Sequence, residues 1–203
     1  MSLTISLTPE QVEQLLARLG IPCRFSDEER IQYATTPVVN QSGRLFGFPT
    51  PAENASLTLS NIKKILGTDP AQQPAFFEHP WCADEVFMTT PCSPGWHILY
   101  TDVITESVNQ PVDYVRRLIP LGLELPSAVE VILMLFLHYA QTTEQLLLRK
   151  HTWCCDTASL GRQVTVGAFG RNGVFLSGHP GSFASRGLGI CGRVHLDGSG
   201  RKV

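Results

Sequence analysis

The stretch that most constrains this fold is residues 126–139, PSAVEVILMLFLHY. Drawn as a helix, it carries apolar side chains on nearly every face, and residues 131–137 are apolar without interruption. A helix that is apolar all round is buried on most of its faces. The apolar run is far shorter than the ~18 residues that a membrane-spanning helix needs. We therefore predict a core helix with other elements packed around it, and no membrane association.

The rest of the chain offers enough apolar material to cover such a helix. The sequence has 203 residues, of which 43% are hydrophobic. A chain of this length and composition is typical of one folded domain. We predict a single domain over residues 1–203.

Three further helices are predicted from local signals. Thr8 can cap a helix that begins at Pro9, and Gln11 at the third helical position completes a capping box. Residues 59–66 form a shorter apolar-periodic segment that Gly67 ends, and residues 112–119 form another that Pro120 ends. The capping-box pattern recurs at residues 142–145 and predicts that the core helix breaks and restarts there. Residues 1–150 are therefore expected to be helix-rich.

After residue 150, the sequence pattern changes from helix-forming to strand-forming segments. Short runs of strand-forming residues bounded by glycine occur at 151–156, 163–169, 174–177 and 188–196. Asn172-Gly173 is typical of a two-residue hairpin turn, in which both central residues take positive φ. We predict an antiparallel β-meander over residues 151–203, packed on the core helix. Helices followed by strands, without alternation, indicate an α+β fold.

Several partners and cofactors are excluded by composition and context. The formal net charge is −2, and six basic residues against one acid after Gly161 are too sparse for a nucleic-acid footprint. Residues 187–192 match G-x-G-x-x-G, but the glycines at 198 and 200 argue against the helix that a dinucleotide site requires. Adjacent strand residues point to opposite faces, so Cys154 and Cys155 would not chelate one ion together. We expect no cofactor and no nucleic acid.

The location of the protein is predicted from its N-terminal residues and its cysteines. Residues 1–20 lack the charged segment followed by an apolar segment that marks a secretory leader. Six cysteines in a chain of this size are most simply reduced thiols of an intracellular protein. We predict a cytoplasmic location.

Residues 79–97, HPWCADEVFMTTPCSPGWH, contain the densest group of chemically active side chains. His79, Cys82, Cys92 and His97 are soft or borderline ligands that tetrahedral zinc could use. The first pair is spaced as His-x2-Cys, however, whereas structural zinc sites usually begin with a closely paired Cys-x2-Cys. We predict no metal, and keep these four residues as the alternative.

The same stretch allows a thiol enzyme. Cys82 precedes a possible helix N-terminus, which would favour its thiolate, and either His79 or His97 could act as base with Asp102 orienting it. Two carboxylates directly after Cys82 would raise its pKa by like-charge repulsion. A small hydrolase-type enzyme with a Cys–His pair, or a zinc-stabilised domain, is therefore the alternative function.

The leading hypothesis is a recognition surface within residues 76–102. Trp81 and Trp96 are large amphipathic anchors, and Asp84 and Glu85 add negative charge beside them. Such an aromatic–acidic surface suits a protein or a basic peptide. We therefore predict a non-enzymatic binding or interaction module that uses these four residues.

Overall fold

A computed structural model of the chain describes residues 3–35, 44–118, 123–194 and 196. These residues form six helices and two mixed β-sheets, which confirms the predicted α+β class. Two adjacent valines at residues 38–39 also favour a short strand, but these residues and His195 lie outside the described residues.

The first helix begins where its capping residue predicts. The helices are α1 (Pro9–Arg18), α2 (Asp27–Gln32), α3 (Leu59–Leu66), α4 (Val86–Thr89), α5 (Val112–Leu118) and α6 (Ala128–Thr142), with short 3-10 turns at Pro80–Cys82, Thr105–Ser107 and Ser159–Gly161. The Thr8 side chain accepts a hydrogen bond from the Gln11 N–H, and the Gln11 side-chain oxygen accepts one from the Thr8 N–H. α6 ends at Thr142, and the residue that follows, Thr143, is left-handed with φ 63°. No helix restarts in the residues that follow, so that prediction was wrong.

Sheet one draws its strands from both ends of the chain. It consists of β1 (Leu3–Ser6), β2 (Arg44–Thr50), β3 (Gly95–Tyr100), β4 (Leu123–Glu124) and β9 (Arg193–Val194), in the order β1-β2-β3-β9-β4. β1 runs parallel to β2, and the other neighbours are antiparallel. The helix-rich region predicted from the sequence thus also contributes four strands of this sheet, and β1 was not predicted.

Sheet two contains the predicted meander. β5 (His151–Ala158), β6 (Arg162–Gly170) and β7 (Gly173–His179) pair antiparallel in sequence, and β8 (Leu188–Gly189) adds parallel to β5. The hairpin turn lies one residue earlier than predicted, because Gly170 pairs with Gly173 and only Gly173 takes positive φ, 89°. The strand predicted at 188–196 is two strands, one in each sheet.

Helix α6 lies between the two sheets. It contacts β2 and β3 on one side and β5 and β6 on the other, and it also packs against α1 and α3. Residues 128–138 are all buried, which explains why the sequence is apolar around the whole helix. Among the residues described, no helix is both long and apolar enough to cross a membrane.

Candidate functional site

Three chemically active side chains meet where sheet one touches the start of α6. Cys92 lies in the connection that leads into β3, His97 lies on β3, and Glu130 lies in the first turn of α6. The Cys92 Sγ is 3.7 Å from His97 Nε2, and His97 Nδ1 is 2.7 Å from Glu130 Oε1. This is the order nucleophile, base and orienting acid that thiol and serine enzymes use.

Glu130 is a buried carboxylate whose two oxygens are both occupied by N–H donors. Oε2 accepts from the Ser127 N–H at 2.6 Å, so Glu130 also completes the capping box of α6. Oε1 accepts from His97 and from Arg193 Nη1, the latter at 2.5 Å. Burial opposes the carboxylate, but His97 and Arg193 outweigh burial and lower the pKa of Glu130 to about 2. Glu130 is therefore ionised.

Arg193 connects this buried group to the surface. Its guanidinium bridges Glu130 and Glu124, which lies on the neighbouring strand β4. The Arg193 and Glu124 side chains are 28% and 36% exposed, whereas Glu130 is 1% exposed. A buried carboxylate needs such compensation, because an unpaired charge in the core is strongly unfavourable.

His97 is doubly protonated. Its Nδ1 faces the Glu130 carboxylate, and its Nε2 lies 2.9 Å from the Ser93 carbonyl oxygen, which can only accept. Burial disfavours the cation, but the Cys92 sulfur and the Glu130 carboxylate outweigh burial and raise the pKa of His97 to about 10. The ring stacks on Phe48 with 5.2 Å between centroids. An imidazolium ring therefore lies beside the Cys92 sulfur.

The backbone of Cys92 is held on both sides by one turn. Its N–H donates to the Leu57 carbonyl at 3.0 Å, and its carbonyl accepts from Asn54 Nδ2 at 2.5 Å. Cys92 is only 1% exposed, yet the next two residues, Ser93 and Pro94, are exposed. The site therefore lies directly beneath one surface loop.

The residues of the thiol pair proposed from the sequence make other contacts in the structure. Cys82 is buried, which raises its pKa, and no described hydrogen bond joins it to a histidine. The His79 ring instead accepts from the Trp81 N–H, and Asp102 binds Lys150 at 2.7 Å. His97 pairs with Cys92.

The four alternative zinc ligands fall into two places. His79 and Cys82 line a small cavity with Trp81, whereas Cys92 and His97 lie together beside Glu130. Within the described part of the chain, no three His, Cys, Asp or Glu side chains are grouped as metal ligands would be.

The four predicted binding residues contact different parts of the molecule. Trp81 packs on Phe87, and its Nε1 donates to the Leu176 carbonyl of β7 at 2.9 Å. Trp96 is half-buried and packs edge-on against Tyr33, near α2. Asp84 is exposed.

Glu85 joins the segment containing Asp84 to sheet two. Its carboxylate accepts from the Ser159 N–H at 2.9 Å and from the Ser159 hydroxyl at 3.1 Å. These contacts bring two exposed apolar side chains into the same region, Val86 at 78% exposure and Leu160 at 92%.

Reasoning from the sequence missed Glu130, Arg193 and Thr50, whose hydroxyl lies 2.8 Å from His97 Nε2. Glu130 did leave a signal, because a lone acid in an otherwise apolar helix must be paired with a cation or cap a helix end. Arg193 and Thr50 left none, because they reach the site only through sheet pairing between distant segments.

No protein-family model, no curated protein and no solved structure matches this chain.

Proposed function

We propose that the protein is a thiol-dependent acyl-transfer enzyme of hydrolase type, with Cys92 as nucleophile. The observation that carries the proposal is the contiguous Cys92–His97–Glu130 arrangement in a buried setting. A cation beside a thiol favours the thiolate, which is the reactive form. Low local polarity strengthens each of these electrostatic interactions. His97 acts as acid and base, and Glu130 orients it.

The reaction follows from these positions. The Cys92 thiolate attacks the carbonyl carbon of an ester or thioester, forming an S–C bond and an oxyanion. Collapse of this intermediate breaks the bond to the leaving group, which takes a proton from His97 Nε2. Water then attacks the carbonyl carbon of the Cys92 thioester while His97 accepts its proton. Collapse of the second intermediate breaks the S–C bond, which releases the acid product and regenerates the Cys92 thiolate.

The first test is formation of an acyl-enzyme. The protein is mixed with an activated chromogenic ester or thioester, and its acylated peptides are identified by mass spectrometry. We expect the acyl group on Cys92 and a burst of leaving group. His97→Asn should slow acylation roughly 100-fold or more, the usual effect of losing a general base.

Cys155 provides an internal control. The residue as a whole is exposed, but its thiol is partly desolvated, and this desolvation together with Asp156 raises its pKa to about 12. Cys92→Ala should abolish the burst, and Cys155→Ala should leave it unchanged. Acylation spread over several cysteines, or unaffected by His97→Asn in a folded variant, would contradict the proposal.

A second proposal is that the region predicted from residues 76–102 binds a protein or a basic peptide. It is favoured by the exposed Val86 and Leu160 side chains beside Asp84. Leu160 also has a left-handed backbone, φ 60°, which a branched side chain adopts at a conformational cost. Strained, exposed apolar residues are common at recognition surfaces.

This second proposal is tested with fluorescently labelled peptides that alternate lysine and leucine. Fluorescence anisotropy should show saturable binding that Asp84→Lys and Leu160→Asp each weaken roughly tenfold, the effect of losing one good contact. Asp69→Lys, at an exposed turn elsewhere, is the matched charge control. Equal weakening by all three variants would mean non-specific charge attraction.

We also propose the cytoplasmic location predicted from the sequence. It is supported by the six free cysteines, because reducing compartments keep thiols unpaired.

A further inference from the structure

The proposed site is closed in this structure. His97 Nε2 is the nitrogen that must exchange protons with the leaving group and with water. It lies 2.9 Å from the Ser93 carbonyl oxygen, which belongs to the loop of residues 91–95. Because Cys92, in the same loop, is itself only 1% exposed, a substrate carbonyl needs Ser93 to move before it can reach the sulfur and the imidazolium.

Thr50 holds the Ser93 carbonyl in that position. Its hydroxyl donates to the Ser93 oxygen at 2.6 Å and lies 2.8 Å from His97 Nε2. Thr50 is itself buried, at the end of β2, where it pairs with Gly95 of β3. One hydroxyl thus ties the loop to both the sheet and the histidine.

Ser93 and Pro94, the exposed residues that follow Cys92 in the loop, are not held by the contacts that fix the nucleophile. The backbone of Cys92 is fixed separately, by Leu57 and Asn54. On the other side, Gly95 has φ 123°, a conformation open to glycine, and a Cβ added there would meet nothing within 4 Å. Ser93 and Pro94 therefore form a short exposed segment between a fixed residue and a conformationally permissive one.

We infer that Thr50 is a positioning residue that keeps the 91–95 loop closed, and that a productive substrate displaces the Ser93 carbonyl from His97. The inference rests on the proposed thiol chemistry and adds its regulation. The resting enzyme is self-inhibited, because its own Ser93 carbonyl occupies His97 Nε2, the nitrogen that must protonate the leaving group.

The experiment compares Thr50→Val, which keeps the shape and removes the hydroxyl, with Thr50→Ser, which keeps the hydroxyl. The rate of Cys92 alkylation by iodoacetamide is measured on folded protein by peptide mass spectrometry. We expect Thr50→Val to accelerate alkylation roughly tenfold, the effect of losing about one hydrogen bond, and Thr50→Ser to match the parent. Thr165→Val is the control, since it removes a buried hydroxyl of sheet two that bonds Ser177.

Each outcome has one meaning. Unchanged alkylation in Thr50→Val overturns the inference, and so does equal acceleration in Thr50→Ser or Thr165→Val, which would reflect general loosening.

Acylation by the activated ester is measured in parallel. If Thr50→Val speeds alkylation but no acyl-enzyme forms in any variant, the closed loop is upheld and the thiol enzyme is not. If the parent and Thr50→Val acylate equally fast, the loop is not a barrier and the inference fails.

Discussion

At the scale of single residues, Glu130 has two structural roles. As the third residue of α6 it completes the capping box with Ser127, and as a buried anion it lies between two cations, His97 and Arg193. Removing its charge would leave both cations facing a neutral group in the core. The cost of such an unbalanced charge is much larger than the value of an exposed ion pair.

We therefore expect Glu130→Gln to lower the free energy of unfolding by about 3–5 kcal/mol, as for other broken buried pairs. Urea denaturation of the purified variant measures this. Glu10→Gln is the matched control, because Glu10 also lies in the first turn of a helix and pairs with an arginine, but is half exposed. Its loss should cost less than about 1 kcal/mol. Similar costs for the two variants would show that the buried network is not a special source of stability.

The residues of the site were only partly predictable. Cys92 and His97 were both named as candidate ligands, because the 79–97 segment concentrates reactive side chains. Cys82 was chosen as nucleophile on sequence proximity to a helix start, which says nothing about what a side chain faces. Arg193 could not be found, because a residue on a two-residue strand has no local pattern that reveals its partners across the sheet.

At the scale of elements, the pairing of β5 with β6 depends on one close approach. A Cβ added at Gly167 would lie 2.1 Å from the Lys150 carbonyl oxygen, which is backbone and cannot move aside alone. The β6–β7 register also shifts between Gly167 and Gly170, where Ala168 has φ 45°. Such a bulge bends a strand and fixes its register.

Gly167→Ala should therefore destabilise the fold by about 1–3 kcal/mol, the usual cost of overpacking, or prevent folding. Thermal unfolding of the variant and of the parent, monitored by circular dichroism, measures this loss of stability. Gly181→Ala, where the added carbon would make only ordinary contacts at 3.5 Å, should be near neutral. A neutral Gly167→Ala would mean that the two strands separate easily.

Elements with local start and stop signals were predicted well, and elements defined by pairing were not. α1 and α3 have the predicted limits, because caps and a terminal glycine act within a few residues. β1 and the split of residues 188–196 between two sheets were missed. A strand of two residues such as β9 is a strand only because distant segments lie on either side of it.

At the scale of the whole molecule, the buried charges tie stability to pH. The pKa of His97 is about 10 in the folded protein, above its value of about 6.5 in an unfolded chain. The folded state therefore binds this proton more tightly. The resulting stabilisation is complete below about pH 6.5 and is lost as the pH rises through about 10. We expect the free energy of unfolding, measured by urea titration, to fall between about pH 7 and 10. In a folded His97→Asn variant, this fall should be shallower.

At acid pH, other groups control the free energy of unfolding, which falls as the pH falls. The pKa of Glu130 is lowered to about 2, so its stabilisation is complete above about pH 4.5 and is lost as the pH falls through about 2. Burial also lowers the pKa of His151 and of His179, so protonation of the unfolded chain begins to destabilise the fold below about pH 6.5. Stability measured in the same titration should therefore decline below pH 6.5 in two stages. A flat profile from pH 7 down to pH 3 would contradict both assignments.

The position of α6 between two sheets has a consequence for how the protein is made. On the ribosome, β1, β2 and β3 emerge before α6, and the strands of sheet two emerge after it. When the helix leaves the exit tunnel, only one of its two apolar sides has a partner already synthesised. Sheet one is itself incomplete at that moment, because β9 follows all of sheet two. A nascent chain that ends just after α6 therefore leaves one apolar side of this helix uncovered until sheet two has been synthesised.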